Sequence, residues 1–132
     1  MNKIHARRLR YLADKMAKLP KSAEKHFDMR TWFRHRGRHG HKFGDFLQLK
    51  DLTFCGTSAC AMGWAASMPY FNKLGLSIKV FDGSHSKNKT GSITKVPEDI
   101  FGNMAGDLFY DFSIKTPKEW AAKARAFLRQ EA

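Results

Sequence analysis

Residues 55–69, CGTSACAMGWAASMP, constrain the fold of this chain more than any other stretch. Ala59, Cys60, Gly63, Ala66 and Ser67 are all small, and Trp64 provides a large anchor one turn after Cys60. A helix with such a surface lets neighbouring elements approach its backbone closely, so it belongs inside a close-packed core. Thr57 or Ser58 is placed to cap it, and Pro69 marks its end. The rest of the chain must therefore wrap a short central helix. With 132 residues, 42% of them apolar, and eleven Phe and three Trp, one core can be built without disulfides or a structural metal. The aromatic content also argues against disorder over the whole chain.

The flanking segments supply both helical and extended partners. Residues 3–19 repeat Leu9, Leu12, Met16 and Leu19 at helical spacing, and Pro20 stops the pattern. FDMRTWF at 27–33 reads as a short helix start, with Asp28 as cap and Phe27 stapled to Trp32. Phe43 to Phe54 holds one or two short extended pieces, around FLQL and LTF. LSIKVF at 76–81 and SITKV at 92–96 are strand-like and flank a polar hairpin loop at 82–91. A two-stranded ribbon alone is marginal, so it must pack on helices or gain a strand. Phe101, Leu108, Phe109 and Phe112 anchor one or two short helical turns. The last helix is the clearest: Thr116 caps it, Pro117 opens it and Glu119 completes a capping box. Its apolar stripe is Trp120, Ala124, Phe127 and Leu128. The expected architecture is α+β: a mostly helical single domain over 1–132 with a small antiparallel sheet or hairpin. Between its elements lies RHRGRHGHKFG at 34–44, which reads as a basic exposed loop.

Charge points to partners. The chain carries 24 Lys and Arg against 12 Asp and Glu, a formal charge of +12. Residues 1–50 hold 14 basic and 4 acidic side chains, a net of +10, so the positive field belongs mainly to the N-terminal part. Such a field favours polyanions or an acidic protein surface. Two cysteines are too few for the framework of a small secreted domain, the first residues lack the apolar run of a signal peptide, and no stretch is long and apolar enough to span a bilayer. A reducing cytoplasm is the expected compartment.

The CGTSACAMGWA core, with FDMRTWF upstream, PYFNKLGL after it and TPKEWAAKARAFL near the end, resembles a group of small uncharacterised phage and prophage proteins. These share a Cys-Gly-Thr-x-x-Cys-x-x-Gly-Trp/His-Ala core. The resemblance covers residues 9–33 and 54–128; the histidine-arginine segment at 34–42 and the lysine-rich tip at 84–89 depart from it. It implies a phage gene product acting in the cytoplasm of a bacterial host. It assigns no catalytic role to Cys55, Gly56, Thr57, Cys60, Gly63 or Trp64, which are expected to form a structural motif.

Three functional readings follow. In the first, the protein is non-enzymatic and binds DNA or RNA through its basic N-terminal half. Arg34, Arg36, Arg38 and Lys42 would grip phosphates, with Arg7, Arg8, Arg10 and Arg30 extending the patch. Phe81, Tyr70 and Tyr110 are candidate exposed stacking platforms. In the second, the same cations dock an acidic surface of a host defence or nucleic-acid-processing protein. The third is a cysteine-dependent enzyme: Cys55, placed before a helix N-terminus, would have a lowered thiol pKa and take His5, His26 or His85 as base. The bland alternative makes both cysteines small buried side chains. A zinc site from Cys55, Cys60 and two of His35, His39 and His41 is a weak signal, because arginines surround the histidines. No cofactor is expected: phosphate loops, zinc-hydrolase motifs and serine-hydrolase elbows are missing from the sequence. Asp107 and Asp111 are one turn apart and read as a simple polar face.

Overall fold

A computed structural model of the protein describes residues 1–37, 41–83 and 88–131. Arg38, His39 and His85, three of the candidate residues, lie outside the described residues. The fold is α+β and predominantly helical, with a small four-stranded antiparallel sheet.

Helix α1, Lys3–Ala17, starts where the Asn2 side chain accepts a hydrogen bond from Ile4 N at 2.7 Å. Its buried stripe is Leu9, Leu12, Ala13 and Met16, as the 3.6-residue period requires. Helix α6, Pro117–Glu131, is its main partner and buries Trp120, Ala121 and Ala124. Thr116 Oγ1 accepts from Glu119 N at 3.1 Å, the forward half of the expected capping box. Between these helices and the centre runs a ladder of rings. Phe71 lies on Phe101 (5.5 Å between centroids), Phe101 on Phe109 (4.8 Å) and Phe109 on Trp120 (5.4 Å). The Trp120 indole N–H donates to Leu108 O at 2.8 Å, so its one polar atom is satisfied inside the core.

The central helix is shorter than its sequence suggests. Helix α2 covers Ala61–Ala66 and is buried throughout. Thr57 and Ser58 do not cap it: they form strand β2, Thr57–Ser58. The N-cap is Cys60, with no side-chain hydrogen bond to the helix. Residue 69 does not simply end a helix either, because Pro69 opens helix α3, Pro69–Asn72. FDMRTWF is a turn rather than a helix start. The Asp28 carboxylate accepts from Arg30 N at 3.0 Å, an Asx-turn that competes with helix formation.

The predicted basic loop at 34–44 needs correction at its first two residues; 36–37 and 41–44 are in neither helix nor strand, and 38–40 lie outside the described residues. Arg34–His35 form strand β1, which lies inside the sheet, in the order β2-β1-β4-β3. Phe33 and His35 are buried while Arg34 is half-buried and Arg36 exposed, a period-2 alternation hidden by the basic composition. Strand β3 is Ile78–Asp82 and strand β4 is Lys89–Ile93. The ladder therefore takes up Asp82 and residues 89–91, part of the 82–91 segment expected to be hairpin loop. Two single bridges widen the sheet, Phe27 with Ala59 and Phe46 with Lys79. The LTF segment is a 3₁₀ turn, Leu49–Thr53, not a strand. Short helices α4, Pro97–Phe101, and α5, Gly106–Tyr110, complete the chain.

Candidate nucleic-acid interface

The motif around α2 holds residues 26–36, and so places the basic strand. Arg36 N donates to Gly56 O at 3.1 Å. Gly56 has φ +85°, a conformation that favours glycine, and a Cβ there would sit 3.0 Å from Arg36 O. The Thr57 hydroxyl lies 3.2 Å from His26 Nδ1, and Ala59 N donates to His26 O at 3.0 Å. Cys60 N donates to Thr31 O at 2.8 Å. The Trp64 indole donates to His26 O at 3.1 Å. Gly63 lies directly beneath the Trp32 carbonyl, where no Cβ fits. The motif is therefore a clamp on the segment leading into β1, through backbone groups that a side-chain motif search does not see.

Register decides what β1 presents. Arg34 is opposite Ser58 on one side and Thr90 on the other, and Thr90 is opposite Phe81. Lys79 is opposite Ser92 on one side and Phe46 on the other. Directly opposed residues share a sheet face, as do residues two apart. One face therefore carries Phe46, Lys79, Phe81, Ser92, Thr90, Arg34 and Ser58. The other carries Leu47, Ile78, Phe33, His35 and Thr57, all buried. The first face is the solvent face: Phe46 is 51% exposed and Phe81 47%. Three strand spacings separate β2 from β3, about 15 Å. Phe81 was a sequence candidate for stacking; Phe46 was missed, because its placement depends on one bridge to β3.

Next to this face, Lys25, Asp28, Arg34, Arg36 and Ser58 line a depression of about 240 Å³. Arg30 grips Asp28 with two bonds, at 3.0 and 3.1 Å, and Arg34 reaches the same carboxylate at 3.4 Å. Hydrogen bonding from Arg30 holds the Asp28 carboxyl below the usual carboxylate range, against the opposing effect of burial. Asp28 thus stays ionised at neutral pH and fixes the two guanidinium groups side by side.

The other expected phosphate contacts do not join this surface. Arg10 lines a separate cleft with Asp14, Arg125, Leu128 and Arg129. Arg8 donates to Ile100 O at 3.0 Å, which ties α1 to α4. Arg7 and Lys42 are exposed. The single patch expected from the N-terminal half is divided between the sheet face and the α1–α6 cleft.

No family model, curated protein or solved structure matches this chain.

The expectation of small buried cysteines holds for Cys60 and not for Cys55. It is Cys60, not Cys55, that precedes a helix. Burial pushes its thiol up from 9.0 to about 11, outweighing the backbone N–H groups nearby. Cys60 is therefore a neutral thiol at pH 7, a poor nucleophile. Cys55 is exposed in the turn before β2. The proposed zinc ligands are dispersed in role. Cys60 is core, His35 packs on Phe43 and Phe54, and His41 Nε2 is 2.9 Å from Asp51 Oδ1 and stacked on Phe54. Among the described residues no group of three ligands could hold a metal. Asp111 bonds Ser113 and Lys123, a local surface arrangement, and Asp107 is exposed.

Proposed function

We propose that this protein is a non-enzymatic binder of single-stranded nucleic acid, and that the solvent face of its sheet is the binding surface. The observation that carries the reading is the pair of exposed phenylalanines, Phe46 opposite Lys79 and Phe81 two residues along the same strand from Lys79, on the face that bears Arg34. Aromatic rings on an open sheet stack on unpaired bases, each worth about 1–3 kcal/mol. Bases inside a duplex are already stacked and beyond reach of a flat platform. Hydroxyls of Ser58, Thr90 and Ser92 and the cations Lys25, Arg34, Arg36 and Lys79 suit a sugar-phosphate backbone. The phage resemblance of residues 55–65 supports a setting inside a bacterial host. It does not bear on the choice between DNA and RNA.

Anisotropy titrations with mixed-sequence single-stranded and duplex oligonucleotides test the reading. Single strands are expected to bind more tightly than duplex. Changing Phe46 and Phe81 together to Ala is expected to weaken single-strand binding at least tenfold, the loss of one or two base stacks. Absence of binding to either form at low salt would sink it.

A second reading is favoured by the α1–α6 cleft. Its lining of Arg10, Asp14, Arg125, Leu128 and Arg129 contains no aromatic ring; Asp14 pairs with Arg125 at 2.9 Å, and the net positive charge that remains suits an acidic protein surface. Capture of one defined host protein, insensitive to nuclease and lost on reversing Arg10 and Arg129 to Glu, would establish it.

A further inference from the structure

The segment that leads into β1 forms, with α5 and Phe112, a cavity of about 310 Å³ lined by Met29, Arg30, Trp32, Phe109, Tyr110 and Phe112. We infer that it takes one nucleobase from the end of the strand bound on the sheet, an inference that rests on the single-strand reading above.

Two observations lead from the sheet to the cavity. The first is continuity: Arg34 on the sheet face and Arg30 at the cavity share the Asp28 carboxylate. The Arg30 side chain is 71% exposed although it is paired, so its outward N–H groups remain open to an anion. The two guanidinium groups around one carboxylate keep a net charge of +1 between platform and cavity, where the phosphate linking two nucleotides would pass. The second is the chemistry of the walls. The Trp32 and Tyr110 rings meet edge to face, 6.5 Å between centroids and 71° apart. Tyr110 and Phe112, both lining the cavity, are 47% and 56% exposed and leave apolar surface uncovered there. The volume is at the lower end of the range for small-ligand pockets, roughly 300–1,000 Å³. A flat aromatic group with an anion on its tether matches this combination.

The decisive experiment combines a cross-link map with one variant. Oligo(dT) bound to the full chain is irradiated with ultraviolet light, and the cross-linked peptides are identified by mass spectrometry. Cross-links are expected at Trp32, Tyr110 or Phe112 as well as at Phe46 or Phe81. The double variant Tyr110→Ala, Phe112→Ala should bind oligo(dT) about tenfold more weakly with an unchanged salt slope, because a stack is lost and no phosphate contact is. Both side chains are about half exposed, so the variant should keep its circular dichroism and cooperative melting; the wild-type cross-link map does not depend on it. Cross-links confined to the sheet, with variant affinity equal to wild type, would overturn the cavity site and leave the sheet-face reading standing. Failure of the wild type to bind oligo(dT) at low salt would overturn both.

Discussion

Gly63 is the residue on which the centre of the molecule turns. A Cβ at this position would fall on the Trp32 carbonyl oxygen and 2.7 Å from Ala59 Cβ. Neither obstacle is the tip of a flexible side chain, so neither can swing away. In an exposed helix Gly→Ala gains about 1 kcal/mol. Here overpacking wins, and Gly63→Ala should cost about 2 kcal/mol or more. Thermal melting checks this, with a Tm lower by at least ~5 °C expected; an unchanged Tm would mean that residues 31–33 do not press on α2. Cys60 makes a second residue-scale prediction. Its thiol keeps its proton in the folded state up to about pH 11, whereas the unfolded chain loses it near 9.0. Between these values the native state binds more protons than the unfolded state, so stability is fully present below pH 9 and is lost as pH rises toward 11. Relative to Cys60→Ala, which lacks the titration, the wild type should lose stability over that window in urea titrations at stepped pH. Parallel curves would contradict the burial of the thiol. Both residues were legible in the sequence as small and packed. What they pack against was not, because Trp32 O and Thr31 O are backbone atoms about thirty positions away.

Elements with a strong local signal were readable, and those set by distant pairing were not. α6 announced itself through Thr116, Pro117 and the stripe Trp120, Ala124. Thr116→Ala should therefore remove the bond to Glu119 N and cost about 1 kcal/mol, read from the urea midpoint. No change in midpoint would imply that another group satisfies this helix end. Strand β1 is the opposite case. Its two residues carry a charge and an imidazole, poor strand credentials, and it exists because β2 and β4 supply partners on both sides. The glycines around it pointed to a loop. In β4 beside it, Gly91 leaves room chiefly for Ile78: a Cβ on Gly91 would fall on Ile78 Cγ2 and sit 3.3 Å from Phe33 Cβ. Likewise the sequence made Phe81 a candidate platform but could not pair it with Arg34 or Phe46, because face assignment needs the register of three strands.

At the scale of the molecule, the charge of +12 is not one patch. Basic groups on the sheet face occur with exposed rings, and those in the α1–α6 cleft occur with Leu128 and Asp14. In the proposed function only the first set binds a strand. If Lys25, Arg34, Arg36 and Lys79 neutralise four phosphates, log affinity should fall with log salt at a slope of about −3. Changing all four to Ser should flatten the slope with little loss of fold, since Lys25, Arg36 and Lys79 are exposed and half-buried Arg34 gives up only its ion pair with Asp28, which Arg30 keeps. The most direct measurement of the location is amide chemical-shift mapping of the full chain with a mixed-sequence single-stranded oligonucleotide. The largest shifts are expected at residues 34–36, 46, 57–58, 79–81 and 90–92, with α1 and α6 unmoved. Shifts confined to Arg10, Arg125 and Arg129, or no shifts at low salt, would contradict that location.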